Sequence, residues 1–467
     1  MCAEPFSITR RRLGIVCVIG ILAVAAMVRQ FHFGCDFLIQ DVRYLQANEI
    51  SKESVNIGIT RDRISYIGKE RVRARTVIRG DGLVLTPGLI DVNSCGWLKE
   101  DAAILKAKDG VTTFLNAHGD SFKANAKRFS ASEKLNYATS VGLIPAFADH
   151  LKGEQMMAAL EDSLRYGAYT ISLSPEYTAE TTPEIVTALS RHFANRNVLF
   201  TFHLRYSSQS EELKGLREAI DCAKAGNPVH ILHITSTGAT FHPEEARALI
   251  DAAVQAGGKI TYDFYPYTAW ASPIHQARFD GNWRERFQVD FSRVLVAGES
   301  NLSAERFEAL RREPQKRLVI VDSIPQATVD YFATNTDCPI GSDSEASSTS
   351  THPRGVGSFA KFINDYVDSG KVEFGQAIYR FSTLVAKRFS AHIPALADRG
   401  SIEVGKAADL VLWDREKIKS RASFADPLAP SSGVVAAFVN GVPVVLNGES
   451  VTGRASPGRH LKGVWAQ

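Results

Sequence analysis

The chain has 467 residues, of which 45% are hydrophobic and 22% are charged, and these proportions are typical of a folded globular protein with one large domain and a smaller one. Its formal net charge is only +3 and its basic residues are dispersed, which argues against nucleic acid as a partner. The six cysteines form neither a CxxC pair nor a dense framework, so they give no disulfide pattern and leave the redox compartment open.

The first predicted element is an apolar segment near the N-terminus. Arg10, Arg11 and Arg12 precede an uncharged run, residues 13–28, which Arg29 ends. The run is long for the core of a signal peptide and short for a membrane span, so a cleaved export signal and a retained anchor both stay open. The basic flank predicts export of the rest of the chain. The protein would then face the periplasm from the inner membrane, or be periplasmic or secreted after cleavage.

Two β-rich ends enclose an alternating middle section. Short alternating runs near both ends predict strands, and Asn440-Gly441 is a hairpin signal. The middle alternates apolar strands with helical stretches, such as 154–166 and 183–193, about eight times, which favours a closed parallel barrel. The sequence thus predicts an α/β fold: a (β/α)8 barrel of the TIM type, with a small β-sandwich domain formed by both chain ends. The predicted ranges are 1–34 for the leader, 35–85 and 398–467 for the two parts of the sandwich, and 86–397 for the barrel.

Two strand ends in the barrel region carry histidines. Apolar runs that begin at Leu199 and Val229 end in His203 and His233, and residues 211–225 between them predict a helix. Parallel α/β barrels place such strand-end side chains at their catalytic mouth. We therefore expect the two imidazoles to face one cavity.

Four further strand ends offer polar side chains. Asn93 and Cys95 follow the run 88–92, and His118 follows the run 111–115. His150 closes the stretch LIPAFADH, and Asp343 follows CPIGS. His118 can also be a turn residue and Asp343 a helix N-cap. For His150, a metal ligand, a substrate contact and a plain strand-end residue all remain open.

These residues predict a metal-dependent hydrolase. A catalytic zinc site needs about three protein donors and an open position for water, and His118, His203 and His233 supply three imidazoles. The metal would lower the pKa of its water to about 7, and Asp343 would take the proton and pass it to a leaving nitrogen. We expect one zinc ion per chain, although other divalent metals also accept imidazole.

Motifs along most of the chain occur in the order found in one enzyme family, which the chain resembles. They are TPGLIDV (86–92), KDGVTT (108–113), FHLR (202–205), HILHIT (230–235), YDFYPYTA (262–269), GSD (341–343), HPRGVGSF (352–359), DRGSIEVGKAADLVLWD (398–414), FVNG (438–441) and TGRASPGRHL (452–461). The family is the amidohydrolase superfamily, and within it the D-aminoacylase or N-acyl-D-amino-acid deacylase branch. The resemblance implies a metal-dependent barrel with a β-sandwich built from both chain ends.

The resemblance also implies residue roles. His203 and His233 match the zinc-binding histidines of the fifth and sixth strands, and Asp343 matches the catalytic aspartate of the eighth. Arg354 matches the arginine that holds the substrate carboxylate, for which its planar fork is suited. Tyr267 matches a residue of the same pocket.

The chain departs from the family pattern at the first two strands. The family's His-x-His after the first strand reads Asn93-Ser94-Cys95 here, so the first metal site has lost both histidines. In the family the second site supports catalysis, so this loss need not abolish activity. His118 takes the place of a second-strand ligand that is usually Cys or Glu, and Thr235 replaces a frequent lysine.

The sequence therefore predicts a zinc-dependent amide hydrolase that acts on a small N-acyl-D-amino acid or on a D-residue-containing peptide. The candidate substrate contacts are Arg354, Tyr267, Arg205 and His150. One alternative is another superfamily activity, such as dihydroorotase-like cleavage of a cyclic amide or dipeptide hydrolysis. Another is a non-catalytic relative that keeps the barrel as a binding module, an idea that Asn93 and Cys95 motivate. Membrane attachment through residues 13–28 is a further expectation, and the sequence does not indicate the oligomeric state.

Overall fold

The structure is a computed structural model that describes residues 34–95, 100–119, 133–299, 301–315, 317–344, 352–451 and 456–466. The predicted hydrophobic run, residues 13–28, lies outside these ranges. Among the described helices, none combines the length and the apolar character that a crossing of the bilayer requires.

The first strands build one part of a small sheet domain. They are β1 (Cys35–Gln46), β2 (Glu49–Ile50), β3 (Val55–Thr60), β4 (Arg63–Gly68), β5 (Ala74–Arg79) and β6 (Val84–Pro87). The long strand β1 is irregular between Ile39 and Val42. Its first half pairs with β3 and β5, and its second half pairs with β6. One strand therefore connects both sides of the domain.

The middle of the chain supplies the parallel strands of the barrel. They are β7 (Leu89–Ser94), β8 (Val111–Asn116), β9 (Asn136–Ala138), β10 (Val141–Gly142), β11 (Thr170–Leu173), β12 (Leu199–Phe202), β13 (Val229–Ile231) and β14 (Ile260–Tyr262). Strands β7–β9 form one parallel sheet and β10–β14 form another. The two sheets meet where the amide of Tyr169 donates to the carbonyl of Thr139 at 2.9 Å.

An extended segment around Ile340 closes the barrel. It forms a parallel bridge with Phe264, just beyond β14, and its carbonyl accepts a hydrogen bond from the amide of Val92 in β7 at 3.4 Å. All residues of β7, β8, β11 and β12 are buried, as expected for parallel strands covered on both faces. The predicted α/β barrel with a sheet domain is confirmed in the described residues, and its buried strands fix the strand ends that carry the site.

A small antiparallel sheet is inserted between β14 and the closing segment. It contains β15 (Ala269–Pro273), β16 (Val294–Val296) and β17 (Leu318–Asp322). The helices are α1 (Glu100–Lys108), α2 (Leu143–Ala148), α3 (Gly153–Tyr166), α4 (Pro183–His192), α5 (Glu212–Lys224), α6 (Pro243–Gln255), α7 (Trp283–Phe287), α8 (Ala304–Arg312), α9 (Gln326–Thr334), α10 (Arg354–Phe362), α11 (Phe374–Phe381) and α12 (Thr383–Phe389). The helices predicted at 154–166, 183–193 and 211–225 are confirmed as α3, α4 and α5.

The C-terminal strands complete the sheet domain. They are β18 (Leu410–Trp413), β19 (Val434–Val439), β20 (Val442–Leu446) and β21 (Glu449–Ser450). Because β18 pairs antiparallel with β6, both chain ends join in one ten-stranded sheet of the described residues. Asn440 and Gly441 have φ of 47° and 76°, which the predicted two-residue hairpin turn requires, and this turn is confirmed.

One predicted strand is wrong. The stretch LIPAFA forms helix α2 instead, with Gly142 as its N-terminal cap. Pro145 lies in the first turn of this helix, where a backbone N–H has no helical partner, whereas inside a strand it would remove a ladder hydrogen bond. His150 consequently follows a helix and is exposed.

Candidate metal and catalytic site

Five potential metal-binding or catalytic side chains stand at the carboxyl end of the barrel strands. Cys95 follows β7, His118 follows β8, His203 follows β12, His233 follows β13, and Asp343 follows the segment that closes the barrel. This end of a parallel barrel is where active sites of the fold lie, because the loops and side chains of different strands converge there.

Cys95, His118 and Asp343 form what we call the Cys–His–Asp cluster. The Nε2 atom of His118 is 2.8 Å from Oδ1 of Asp343, and the Cys95 thiol donates to the same oxygen with a sulfur–oxygen distance of 3.4 Å. In the described part of the chain, this is the set of three potential ligands whose donor atoms all lie within 4.8 Å of one another. The side chains of His118 and Asp343 are 22% and 11% exposed, so the cluster borders solvent.

His203 and His233, the histidine pair, lie deeper in the mouth. Nδ1 of His203 is 3.1 Å from Nε2 of His233, while Nε2 of His203 is 2.7 Å from Oε2 of Glu176. Because an ionised carboxylate can only accept, Nε2 of His203 carries the hydrogen, and its Nδ1 lone pair faces His233. The Oγ atom of Ser236 contacts Nδ1 of His233 at 3.0 Å. Both rings are thus oriented by neighbouring polar groups.

The backbone at two of these positions is unusual. His233 has φ 33° and Asp343 has φ 50°, a left-handed conformation that non-glycine residues rarely adopt. The carboxylate of Asp263 accepts the His233 amide at 2.9 Å, and the carbonyl of Asn93 accepts the Asp343 amide at 2.7 Å. These hydrogen bonds stabilise the strained backbone and hold both side chains in the mouth.

Asp343 connects the cluster with a buried arginine. Nη2 of Arg354 is 2.9 Å from Oδ2 of Asp343, and the same oxygen is 3.9 Å from Nε2 of His233. The guanidinium lies over the ring of Tyr265 at 4.8 Å. Its Nε and Nη1 atoms are buried and have no hydrogen-bond partner among the described residues. Two donors of this arginine are therefore available to a ligand.

The charges of the cluster follow from burial and from these contacts. Burial alone would raise the pKa of Asp343, but Arg354 and the neighbouring histidines hold it well below its usual range. Burial would lower the pKa of His118, yet negatively charged neighbours raise it well above its ordinary value. Since burial also raises the pKa of the Cys95 thiol, Asp343 is the anion that acts on His118 at neutral pH.

The histidine pair has the opposite character. Burial lowers the pKa of His203, despite Glu176 nearby, and lowers the pKa of His233 well below its ordinary value. For Glu176, burial is outweighed by the charge of Arg278 and by the hydrogen bond from His203, so its pKa is lowered and it stays ionised. Neutral imidazoles with an oriented lone pair are the form that binds metals.

The chemistry of these donors fits a divalent cation, but their grouping differs from the prediction. The three predicted ligands, His118, His203 and His233, occupy one mouth, with ring centroids of His118 and His233 6.1 Å apart and those of His203 and His233 4.8 Å apart. Within the described chain, however, the trio that meets the ligand distance joins His118 to Cys95 and Asp343. The set of three imidazoles stays a prediction, and β7 and the closing segment bring a thiol and a carboxylate closer to His118 than the two other imidazoles.

Two further residues of the site were not identified from the sequence. Glu176 comes three residues after β11, and the polar Ser-Pro-Glu that ends this apolar strand is a signal that could have found it. Arg278 lies between β15 and β16, and its Nη1 is 3.1 Å from Oε2 of Glu176 while its Nη2 donates to the carbonyl of Ser236 at 2.9 Å. It belongs to the inserted sheet, outside the barrel repeat, so no strand-end pattern marks it.

Three predicted substrate contacts stand apart from the Cys–His–Asp cluster. Tyr267 is buried beside His352, with ring centroids 5.2 Å apart, whereas its neighbour Tyr265 lies under Arg354. Arg205 forms two hydrogen bonds with Glu218, at 3.0 and 2.7 Å. His150 is exposed beyond α2. Of the four predicted substrate contacts, Arg354 is the one whose side chain contacts Asp343.

The chain thus has a closed parallel barrel with imidazole, thiol and carboxylate groups at its mouth, a donor set that could hold a metal ion. No family model matches the chain. It is 23% identical to a D-aminoacylase of Alcaligenes xylosoxydans xylosoxydans over an alignment of 485 residues, which covers 88% of this chain and 94% of the relative. It is 25% identical to the N-acyl-D-aspartate deacylase of the same organism over 447 residues, with 82% and 86% covered.

A solved structure has the same fold as this chain. N-acyl-D-glutamate deacylase from Bordetella bronchiseptica, complexed with zinc and a phosphonate mimic of the reaction's tetrahedral intermediate, superposes with a TM-score of 0.76 at 21% identity. The match covers 92% of this chain and 99% of that one. The resemblance to the D-aminoacylase branch of the amidohydrolases is thereby confirmed over most of the chain.

Proposed function

We propose that this protein is a metal-dependent hydrolase that removes the acyl group from an N-acyl-D-amino acid or from a D-residue-containing peptide. The names of its relatives, a D-aminoacylase and deacylases of N-acyl-D-aspartate and N-acyl-D-glutamate, support amide hydrolysis as the reaction class. The observation that carries the proposal is the position of Arg354, whose guanidinium lies 2.9 Å from the carboxylate of Asp343 and keeps two donors free of the described residues. A carboxylate-binding group thus adjoins a group suited to proton transfer.

The donors at the mouth suit one zinc ion or another divalent cation, which as a Lewis acid would lower the pKa of a water molecule and polarise the scissile carbonyl. His203 and His233 present neutral imidazoles, and His118 completes the predicted ligands from β8. The ionised Asp343 accepts the proton of the attacking water and returns it to the leaving nitrogen. Glu176 holds the ring of His203 so that its Nδ1 faces His233.

Arg354 places the substrate. Its planar fork forms parallel charge-assisted hydrogen bonds with a carboxylate, and the ring of Tyr265 supports it from one face. A substrate with its α-carboxylate on Arg354 would present its amide carbon toward Asp343. Discrimination between D and L residues would require three groups around the α-carbon to be held, namely the carboxylate on Arg354, the scissile amide near Asp343, and the side chain.

The test of the function uses purified full-length protein loaded with zinc. We expect hydrolysis of N-acetyl-D-amino acids and little or none of the matching L-forms, measured by release of the free amino acid. The corresponding D-carboxamides should be poorer substrates, since they lack the charge that Arg354 binds. Hydrolysis of a cyclic amide alone would favour the dihydroorotase-like alternative, and metal binding without hydrolysis of any of these amides would favour a binding module.

Arg354→Lys sharpens this test. Lysine keeps the charge but loses the bidentate fork, so KM for the D-acid should rise about 10- to 100-fold while KM for the carboxamide changes little. Arg247→Lys is the matched control, because Arg247 pairs with Asp251 on the exposed side of α6. An equal loss toward acid and carboxamide would show that Arg354 does not bind the substrate carboxylate.

We also propose that the protein works outside the cytoplasm. The support is the sequence itself, in which three arginines precede the apolar run 13–28. Fusion of residues 1–34 to a reporter that is active only after export should give activity in the periplasm. Replacement of Arg10, Arg11 and Arg12 by glutamate should reduce it, and equal reporter activity in both fusions would contradict the proposal.

A further inference from the structure

The Cys–His–Asp cluster contains a residue that the family pattern treats as a loss. Cys95 replaces the second histidine of the His-x-His motif, yet its sulfur lies 3.4 Å from Oδ1 of Asp343, the oxygen that Nε2 of His118 approaches at 2.8 Å. In a tetrahedral zinc site with bonds of 2.0 to 2.3 Å, neighbouring donor atoms lie about 3 to 4 Å apart. The three side chains are therefore close to the spacing of a shared cation without any change in the backbone.

Hydrogen bonds between the first and the closing strand hold this spacing. The Asp343 amide donates to the carbonyl of Asn93 at 2.7 Å, and the hydroxyl of Ser94 donates to the carbonyl of Ser344 at 3.1 Å. Cys95 directly follows these bonds, so its distance from Asp343 is set by the barrel. The spacing of the three side chains is thus determined by residues at strand ends and depends less on long loops.

The chemistry of the trio differs from that of the histidine pair. A thiolate is a soft, anionic ligand, and together with imidazole it favours zinc and similar ions over magnesium or manganese. A carboxylate adds a second negative charge, which the neighbouring Arg354 partly balances at 2.9 Å. Two anionic donors and one imidazole neutralise a divalent cation at this border of the mouth.

Resting on the proposed metal-dependent function, we infer that Cys95 is a metal ligand of this protein and binds a thiophilic divalent cation together with His118 and Asp343. When the cation binds, the S–H bond of Cys95 and an N–H bond of the His118 ring break, the two electron pairs form the sulfur–metal and nitrogen–metal bonds, and both protons leave to solvent. Cys95 thereby takes over the position of the missing histidine with a different donor atom. The replacement of histidine by Cys95 after the first barrel strand thus changes the ligating atom from nitrogen to sulfur and keeps a metal site at this position.

The test is cobalt substitution of the full-length metal-free protein, read by absorption. Co²⁺ bound to a thiolate gives a sulfur-to-metal charge-transfer band in the near ultraviolet, which imidazole and carboxylate ligands do not give. We expect this band in the unmodified protein and its loss in Cys95→Ser. Cys222→Ser is the matched control, because Cys222 is a buried cysteine on α5, and it should keep the band.

A second variant covers the case in which Cys95→Ser does not fold. Cys95→His restores an imidazole donor and should bind Co²⁺ without the charge-transfer band. The inference is overturned if the unmodified protein takes up no Co²⁺, if it takes up Co²⁺ without the band, or if the band persists in a folded Cys95 variant. The outcome is independent of the substrate assay, since a thiolate band without D-selective hydrolysis would refute the proposed function and leave Cys95 as a ligand.

Discussion

The two sides of the barrel mouth are built differently. On the side of β11 to β13, the imidazoles of His203 and His233 are 1% and 2% exposed, and Glu176 and Ser236 fix their orientation. On the side of β7, β8 and the closing segment, the donors border solvent, with His118 22% exposed. The first side is therefore arranged by the protein alone, whereas the second is open to a substrate.

This difference separates two tasks. Buried, neutral imidazoles with fixed tautomers suit permanent binding of a cation. Asp343 and Arg354, which lie on the other side, are charged and 2.9 Å apart, and two donor atoms of Arg354 have no partner among the described residues. The comparison teaches that the orienting hydrogen bonds lie on one side and the proposed substrate contact, Arg354, on the other, with Asp343 between them, 2.8 Å from His118 and 3.9 Å from His233.

The largest expected effect comes from the residue that joins both sides. Asp343→Asn keeps the shape and an oxygen donor near His118 but removes the basic carboxylate, so kcat should fall about 10³-fold. Turnover is measured at saturating zinc, and metal content is determined in the same preparation. Unchanged kcat with the cation still bound would exclude Asp343 as the proton carrier.

A smaller effect tests the orientation of the buried side. Glu176→Gln removes the anion that holds Nε2 of His203, and we expect metal affinity about 10- to 100-fold weaker, as for other groups that orient a ligand. Glu161→Gln is a closely matched control, because Glu161 likewise contacts a histidine Nε2, that of His192 at 2.8 Å, but His192 is exposed. Affinity is measured by competition with a chelator.

Equal metal affinity in Glu176→Gln and Glu161→Gln would mean that the buried side does not need its carboxylate. Restoration of affinity by Glu176→Asp, a shorter acid, would in contrast support the charge as the cause. Circular dichroism of each variant establishes that the barrel is folded.

Two aspartates beside helix α10, of which Asp109 is buried and Asp343 partly exposed, sharpen the electrostatic comparison. Asp343 has Arg354 next to it and a lowered pKa, whereas burial raises the pKa of Asp109 to about 7, although it accepts hydrogen bonds from the amides of Phe359 and Ala360. A carboxyl group whose pKa is higher in the folded than in the unfolded chain stabilises the fold below its unfolded pKa and loses this contribution as pH rises to the folded one.

For Asp109 the free energy of unfolding should therefore decline between about pH 4 and about pH 7, by at most about 4 kcal/mol at 1.36 kcal/mol per unit of pKa. Asp109→Asn does not titrate, so its stability relative to the unmodified protein should increase over this interval. Urea unfolding at several pH values measures the difference. Parallel stability profiles of the two proteins would contradict the raised pKa of Asp109.

The sequence was sufficient to predict the strand-end histidines of the site, but not the residues that orient them. His203 and His233 end apolar strands, and this local pattern is sufficient because a parallel barrel brings strand ends together. Arg278 reaches Glu176 from the inserted sheet, and contacts between such distant segments leave no periodic signal. Helix α2 was missed because a short apolar run fits helix and strand alike, although Pro145 favoured the helix.

The smallest expected effect concerns Arg205, a predicted substrate contact. Its guanidinium forms two hydrogen bonds with Glu218 on α5 and one, at 2.7 Å, with the carbonyl of Thr181, so its donors are used within the scaffold. Arg205→Gln should leave KM and kcat for the D-acid nearly unchanged and lower the free energy of unfolding by about 1 kcal/mol. Glu218→Gln should give a similar loss of stability, since it breaks the same pair. A rise in KM in Arg205→Gln alone would place Arg205 on the substrate and extend the open side of the mouth beyond β12.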